Sequence, residues 1–123
     1  MCKLRRVNIE RSDAVLAGLE VYKERLIAAV NPSAIVLFGS LGRDDANEGS
    51  DVDILVVADF VEPFLDRIGR LLELGEGLGL PLEPLGYRPE EIVAMLERGN
   101  AFIPEVLRSG RVIHGTIPEV QQV

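Results

Sequence analysis

The sequence has few of the residues that mark secreted, metal-cluster and nucleic-acid-binding proteins. It holds one cysteine, one histidine and no tryptophan, and 13 Lys and Arg stand against 20 Asp and Glu. A lone Cys2 cannot close an internal disulfide, and without a second thiol it cannot anchor a metal cluster; a reducing, cytoplasmic setting is expected. No apolar run approaches the roughly 18–20 residues that cross a bilayer. Residues 1–10 are charged, where a secretory leader would be apolar. No membrane contact is expected. The formal net charge of −7 also argues against direct nucleic-acid binding, which needs Lys and Arg to neutralise phosphates. The cluster Lys3, Arg5, Arg6 is too short to reverse that balance. His114, the one histidine, has no visible partner for a catalytic triad.

What is present suits a small folded unit. The 123 residues fit one domain, 1–123, and 47% hydrophobic content is enough for a core. Ser12 can cap a helix over 12–30, with Val15, Leu19, Tyr22 and Leu26 on one face and Leu16, Ile27 and Val30 widening it. Asn31-Pro32 stops it. Residues 34–38, wholly apolar, predict a buried strand, 39–50 a polar loop, and 51–57 a second strand. A helix is expected over 62–78, with Val61, Phe64, Leu65, Ile68, Leu71 and Leu72 facing inward. Pro81 and Pro84 make 80–87 an edge strand. Helices over 89–98 and 102–109 end at Gly99 and Gly110, and 111–114 adds a last short strand. The alternation predicts an α/β (α+β) fold, a small mixed β-sheet packed with helices.

The chemistry concentrates between Gly39 and Val57. Side chains alternate along a strand, so Asp51 and Asp53 share a face. Aspartate is depleted in strands, and two like charges at the mouth of an apolar strand repel unless something compensates. Mg²⁺ would do so, since it takes one or two carboxylates and borrows other oxygens from water and substrate phosphates; two solvated aspartates are the plainer alternative. Gly39-Ser40, directly after the first strand, lets backbone amides and a hydroxyl approach an anion. Arg43 adds a forked cation for the same phosphates. No Gly-Lys-Ser/Thr follows, so this is not a P-loop.

Gly39-Ser40, ten residues, then Asp51-Val52-Asp53 resembles the signature of minimal nucleotidyltransferases, small members of the DNA polymerase β-like superfamily. The likeness runs from about Ser12 to Val57. Family members usually carry Gly after the loop arginine, where Asp44 stands here. The resemblance implies a nucleotidyltransferase fold, nucleotide binding by Gly39, Ser40 and Arg43, and catalysis and metal binding by Asp51 and Asp53. It also implies a third carboxylate from a neighbouring strand. Glu83 is the only acid in 80–87 and the candidate for it. Asp44, Asp45, Glu48 and Asp59 are expected to be solvated.

With ATP as substrate and a two-ion Mg²⁺ site, the expected reaction is transfer of AMP to an acceptor hydroxyl. The family resemblance implies a protein acceptor, a tyrosine of a helical HEPN ribonuclease toxin, with this chain as its antitoxin. Exposed apolar residues between 87 and 107, with Tyr87 bordering the pocket, are the expected docking surface. The alternatives are a non-catalytic module that masks a partner, and a small-molecule nucleotidyltransferase acting as a homo-oligomer.

Overall fold

The computed structural model describes residues 2–39 and 51–117, with side chains from residue 14 onward. Among these residues the chain order is α1 (Cys2–Val30), β1 (Ala34–Phe38), β2 (Val52–Val57), α2 (Phe64–Leu74), β3 (Leu82–Tyr87), α3 (Pro89–Glu97), α4 (Phe102–Ser109) and β4 (Arg111–Gly115). The strands form one mixed sheet in the order β3-β2-β1-β4. β1 runs antiparallel to β2 and β4, whereas β2 and β3 are parallel. The expected mixed sheet is therefore present, and β3 is the edge strand its prolines predicted.

Both faces of the sheet are covered, which is why β1 and most of β2 are apolar without alternation. Ile35, Leu37, Val52, Ile54 and Val56 pack with Leu19, Tyr22 and Leu26 of α1 and Leu71 of α2. Ala34, Val36, Leu55 and Val57 face the other way, against Ile92 of α3 and Ile103 and Val106 of α4. Full burial of each large apolar side chain is worth about 1.5–3 kcal/mol. Tyr22 also satisfies its hydroxyl, which donates to the Leu71 carbonyl at 2.8 Å and joins α1 to α2.

Two helices differ from expectation. α1 begins at Cys2, so Ser12 lies inside it rather than capping it. No Gly or Pro interrupts residues 2–17, and the apolar face that begins at Val15 gave no sign of the preceding turns. Leu16 is exposed, so the buried face of α1 is narrower than predicted. Asn31 ends the helix in the left-handed region, with φ at 48°. α2 is shorter than 62–78, with Pro63 at its N-cap and Gly75 at its C-cap. Its buried residues are Arg67 and Leu71, while Val61, Leu65 and Leu72, expected inside, are exposed. Apolar residues occur on more than one side of this helix, and periodicity alone does not say which side meets the sheet.

Arg67 explains the rotation of α2. It is 5% exposed and reaches past the C-terminal end of β3. Its Nε donates to the Glu62 carbonyl at 2.8 Å, and Nη1 donates to the Gly86 carbonyl at 3.1 Å. Nη1 and Nη2 donate to the two Glu91 carboxylate oxygens at 2.8 and 3.1 Å. The guanidinium also lies 5.5 Å from the Phe60 ring centre. Glu91 meanwhile accepts from the Arg88 backbone N–H at 2.8 Å, holding the first turn of α3. One side chain thus ties α2, β3 and α3 together.

Candidate active site

The pairing of β1, β2 and β3 lines up three side chains. Phe38 pairs with Asp53 across the antiparallel ladder, and Asp53 pairs with Glu83 across the parallel one. Alternation puts all three on the face that carries Leu85 and Val57 further along. Phe38 packs edge-on against Phe102 of α4, ring centres 5.8 Å apart, which gives this end of the row an apolar buttress. Asp53 is half-buried, and Glu83 and Asp51 are exposed.

Gly39 closes the row from behind. Its φ is 68°, and a Cβ built there would overlap the Asp53 carboxylate. Glycine is required on both counts: L side chains disfavour that φ, and the carboxylate lies directly against the bare Cα. Gly39, expected to bind nucleotide, is placed against Asp53. Ser40 and Arg43, together with Asp44, Asp45 and Glu48, lie outside the described residues.

Charge repulsion marks the cluster. The Asp51 charge is the largest cause raising the Glu83 carboxyl above its ordinary value, followed by hydrogen bonding with Asp51, desolvation and the Asp53 charge. Asp53 is also raised, first by desolvation and then by Asp51, while a hydrogen bond from Glu83 offsets part of this. Asp53 and Glu83 are both raised in the field of the Asp51 carboxylate, and crowding of like charges is the situation a cation relieves. Among the described residues no group of three His, Cys, Asp or Glu side chains is arranged as a ready cage for a metal. Mg²⁺ does not need one, because it is held by one or two carboxylates with water and phosphate oxygens completing its shell. An all-oxygen, mutually repelling donor set fits it.

A cleft of about 430 Å³ opens beside Asp53 and Glu83, with Phe38 and Leu85 on the sheet side and Ile68 and Leu72 of α2 on the other. That volume is within the range of about 300–1,000 Å³ of small-ligand sites. Residues 19–111 match the family described as the nucleotidyltransferase domain. The chain belongs to that family. Its activity is accordingly nucleotidyl transfer, and the family generally uses a nucleoside triphosphate and a divalent metal. No curated protein matches the chain significantly. The matched span of this nucleotidyltransferase contains every element from the second half of α1 to the start of β4, including Asp51, Asp53 and Glu83.

The remaining expectations divide. Tyr87 does not border the cleft: it sits at the opposite end of β3, against Phe64 with ring centres 5.3 Å apart. The apolar side chains between 87 and 107 do not form an exposed surface either, because Ile92, Ile103 and Val106 turn inward onto the sheet and Leu107 is the one large hydrophobic there that is exposed. Asp59 is exposed, as expected. His114 lies on β4 opposite Ile35, with β1 and β2 between it and Glu83. No helix among the described residues is long and apolar enough to cross a membrane. Two functional features escaped the sequence reading: the contact of Gly39 with Asp53, and the cleft wall from α2. The Gly-Ser pair hinted at the first, and nothing in the sequence pointed to the second.

Proposed function

We propose that this nucleotidyltransferase moves AMP from ATP to a tyrosine hydroxyl of a helical HEPN-type ribonuclease partner, and that the modification silences the partner as an antitoxin does. The observation that carries the reading is the Asp53–Glu83 register, which gathers Asp51, Asp53 and Glu83 beside an open cleft. Mg²⁺ bound by Asp51, Asp53 and Glu83 would supply charge neutralisation for the phosphates and for the entering and leaving oxygens. Gly39, with no side chain, lets the Asp53 carboxylate lie directly against its Cα. The tyrosine oxygen attacks the α-phosphorus, the bond to the bridging oxygen breaks, and pyrophosphate leaves. The hydroxyl proton is taken up at Glu83, an exposed carboxylate from which it passes to solvent. A cleft that opens to solvent gains most from an acceptor that brings its own orienting surface, which favours a docked protein over a free metabolite.

The test is incubation of the chain with ATP, Mg²⁺ and the protein encoded by the adjoining gene, followed by intact mass measurement. A gain of about 329 Da, the mass of an AMP group, on a tyrosine is expected, and it should vanish with Asp53→Asn. Neutralisation of the partner without added mass would replace this reading by a masking module. Transfer to a free sugar or aminoglycoside, with no modified protein, would make it a small-molecule enzyme.

A further inference from the structure

The outer face of α2 carries an apolar stripe that nothing in the described chain covers. Val61 is 90% exposed, Leu65 76% and Leu72 44%. Leu65 and Leu72, with half-buried Ile68 between them, recur at the three- and four-residue spacing of a single helix face, and Val61 lies just ahead of the helix. Gly69 lies within the same face, and a Cβ built on it would meet nothing within 4 Å. Glycine in a helix interior is destabilising relative to alanine, and this bare position serves no packing purpose among the described residues. What it offers is close approach to a second backbone. The stripe is also continuous with the candidate site, because Ile68 and Leu72 form the α2 wall of the cleft that holds Asp53 and Glu83.

The two arginines of α2 do not interrupt the stripe. Arg67 is buried, and Arg70 pairs with Glu62 at 2.8 Å and donates to the Ala29 carbonyl. Exposed Asp66 and Glu73 stand along one border of the stripe instead. The surface is thus a short apolar ridge with a bare centre and an acidic rim, leading into a reaction cleft.

The geometry points to this face as the dock for the protein acceptor: a helix of the acceptor lies across Gly69, its apolar side chains against Leu65 and Leu72 and its Lys or Arg beside Asp66 and Glu73. A residue flanking that helix then brings its hydroxyl into the cleft beside Asp53 and Glu83. This inference rests on the reading of a protein acceptor given above. It moves the docking surface from residues 87–107 to α2.

The test uses the full chain, Mg²⁺ and ATP labelled at the α-phosphate, added to an extract of the cells that carry the gene. Gly69→Gln and Leu65→Gln are compared with wild type. Neither residue lines the cleft, so both variants should keep the rise in melting temperature that ATP with Mg²⁺ produces. Gly69→Gln should itself melt higher than wild type, because a helix former replaces glycine in open space. Labelling of the acceptor protein should nonetheless fall at least tenfold in both, and wild-type labelling should weaken as salt is raised. Stability and transfer moving in opposite directions for Gly69→Gln is a result that a purely structural role would not produce. If the variants label the acceptor as well as wild type does, the α2 dock is wrong while the protein-acceptor reading stands. If wild type labels no protein, that reading falls and the dock with it. A wild-type dimer that Leu65→Gln converts to monomer in sedimentation would assign the stripe to a second copy of this chain and overturn the proposal.

Discussion

At the start of β3, Glu83 meets Asp53 and Asp51, and both Glu83 and Asp53 are raised above ordinary carboxylate values. Just past the end of the same strand, Glu91 meets Arg67 and is lowered, the hydrogen bond from the guanidinium being the largest cause. The second cluster is closed: each Arg67 nitrogen has an acceptor, and the group is buried under Phe60. The first is exposed at Asp51 and Glu83 and half-buried at Asp53. The Asp51 charge is the largest cause raising Glu83 and the second, after desolvation, raising Asp53. A buried charge whose partners and hydrogen bonds are supplied by the chain itself has a structural purpose that is already met. A group of like charges at the rim of a cleft is stable only in proportion to what it later binds. The two ends of one strand therefore separate a charge cluster satisfied within the fold from one left open beside the cleft.

The largest expected effect strikes the open end. Asp53→Asn should lower nucleotidyl transfer on the order of 10²–10³-fold or more, as loss of one electrostatic stabiliser of a transition state does. The melting temperature of the free protein should hold or rise, because one of the repelling charges is gone. Unchanged transfer with a measurable ATP-induced melting shift would place the chemistry elsewhere.

The closed end should show the reverse pattern. Arg67→Met strands Glu91 and frees the Gly86 and Glu62 carbonyls, and should cost about 3 kcal/mol in denaturant unfolding. That is the low end of the range for breaking a buried pair, because the Glu91 side chain is 38% exposed. Adding Glu91→Gln should recover part of the loss. Transfer per folded molecule should change little, since Arg67 lies outside the cleft; a collapse of transfer equal to that of Asp53→Asn would erase the distinction between the two ends.

Gly39→Ala tests whether the open end has its own internal support. The positive φ alone should cost about 1–2 kcal/mol, and the new methyl must displace the Asp53 carboxylate. Thermal unfolding and transfer should therefore both decline. A variant that loses stability but transfers normally would show that the contact of Gly39 with Asp53 is only packing.

The smallest effects are in pH, and they have opposite signs. Glu91 is held below its ordinary 4.5, so its contribution is present above that value and is lost as pH falls through the lowered folded value. Glu83 is held above its ordinary 4.5, so the metal-free protein should lose stability as pH rises from there through the raised folded value. Melting curves between roughly pH 3 and 8 should resolve the two limbs. Glu91→Gln should flatten the acid limb, and Glu83→Gln or added Mg²⁺ the neutral one. An upper limb that ignores both Glu83→Gln and Mg²⁺ would mean that the Glu83 carboxyl is not raised by its neighbours.

Much of this protein follows from local sequence. β1 over Ala34–Phe38 and α4 over Phe102–Ser109 appear at their predicted bounds, because an apolar run closed by Gly39 and a helix closed by Gly110 are signals contained in a few neighbouring residues. The edge position of β3 followed from Pro84, which lacks a ladder donor. That Asp51 and Asp53 share a side followed from the pleat, and the Gly-Ser turn with its ten-residue spacing was enough to suggest the family. Only the tertiary structure decided the rest. The parallel β2–β3 pairing set Glu83 opposite Asp53, and register between strands nearly thirty residues apart is a property of packing rather than of either strand. The rotation of α2 was likewise a tertiary choice. Its sequence offers apolar residues on two sides, and burying Arg67 with Glu91 and the Gly86 carbonyl turned Leu65 and Leu72 outward. A hydrophobic pattern states how much surface a helix has to bury, but which side is buried depends on what the neighbouring strand and helix present to it.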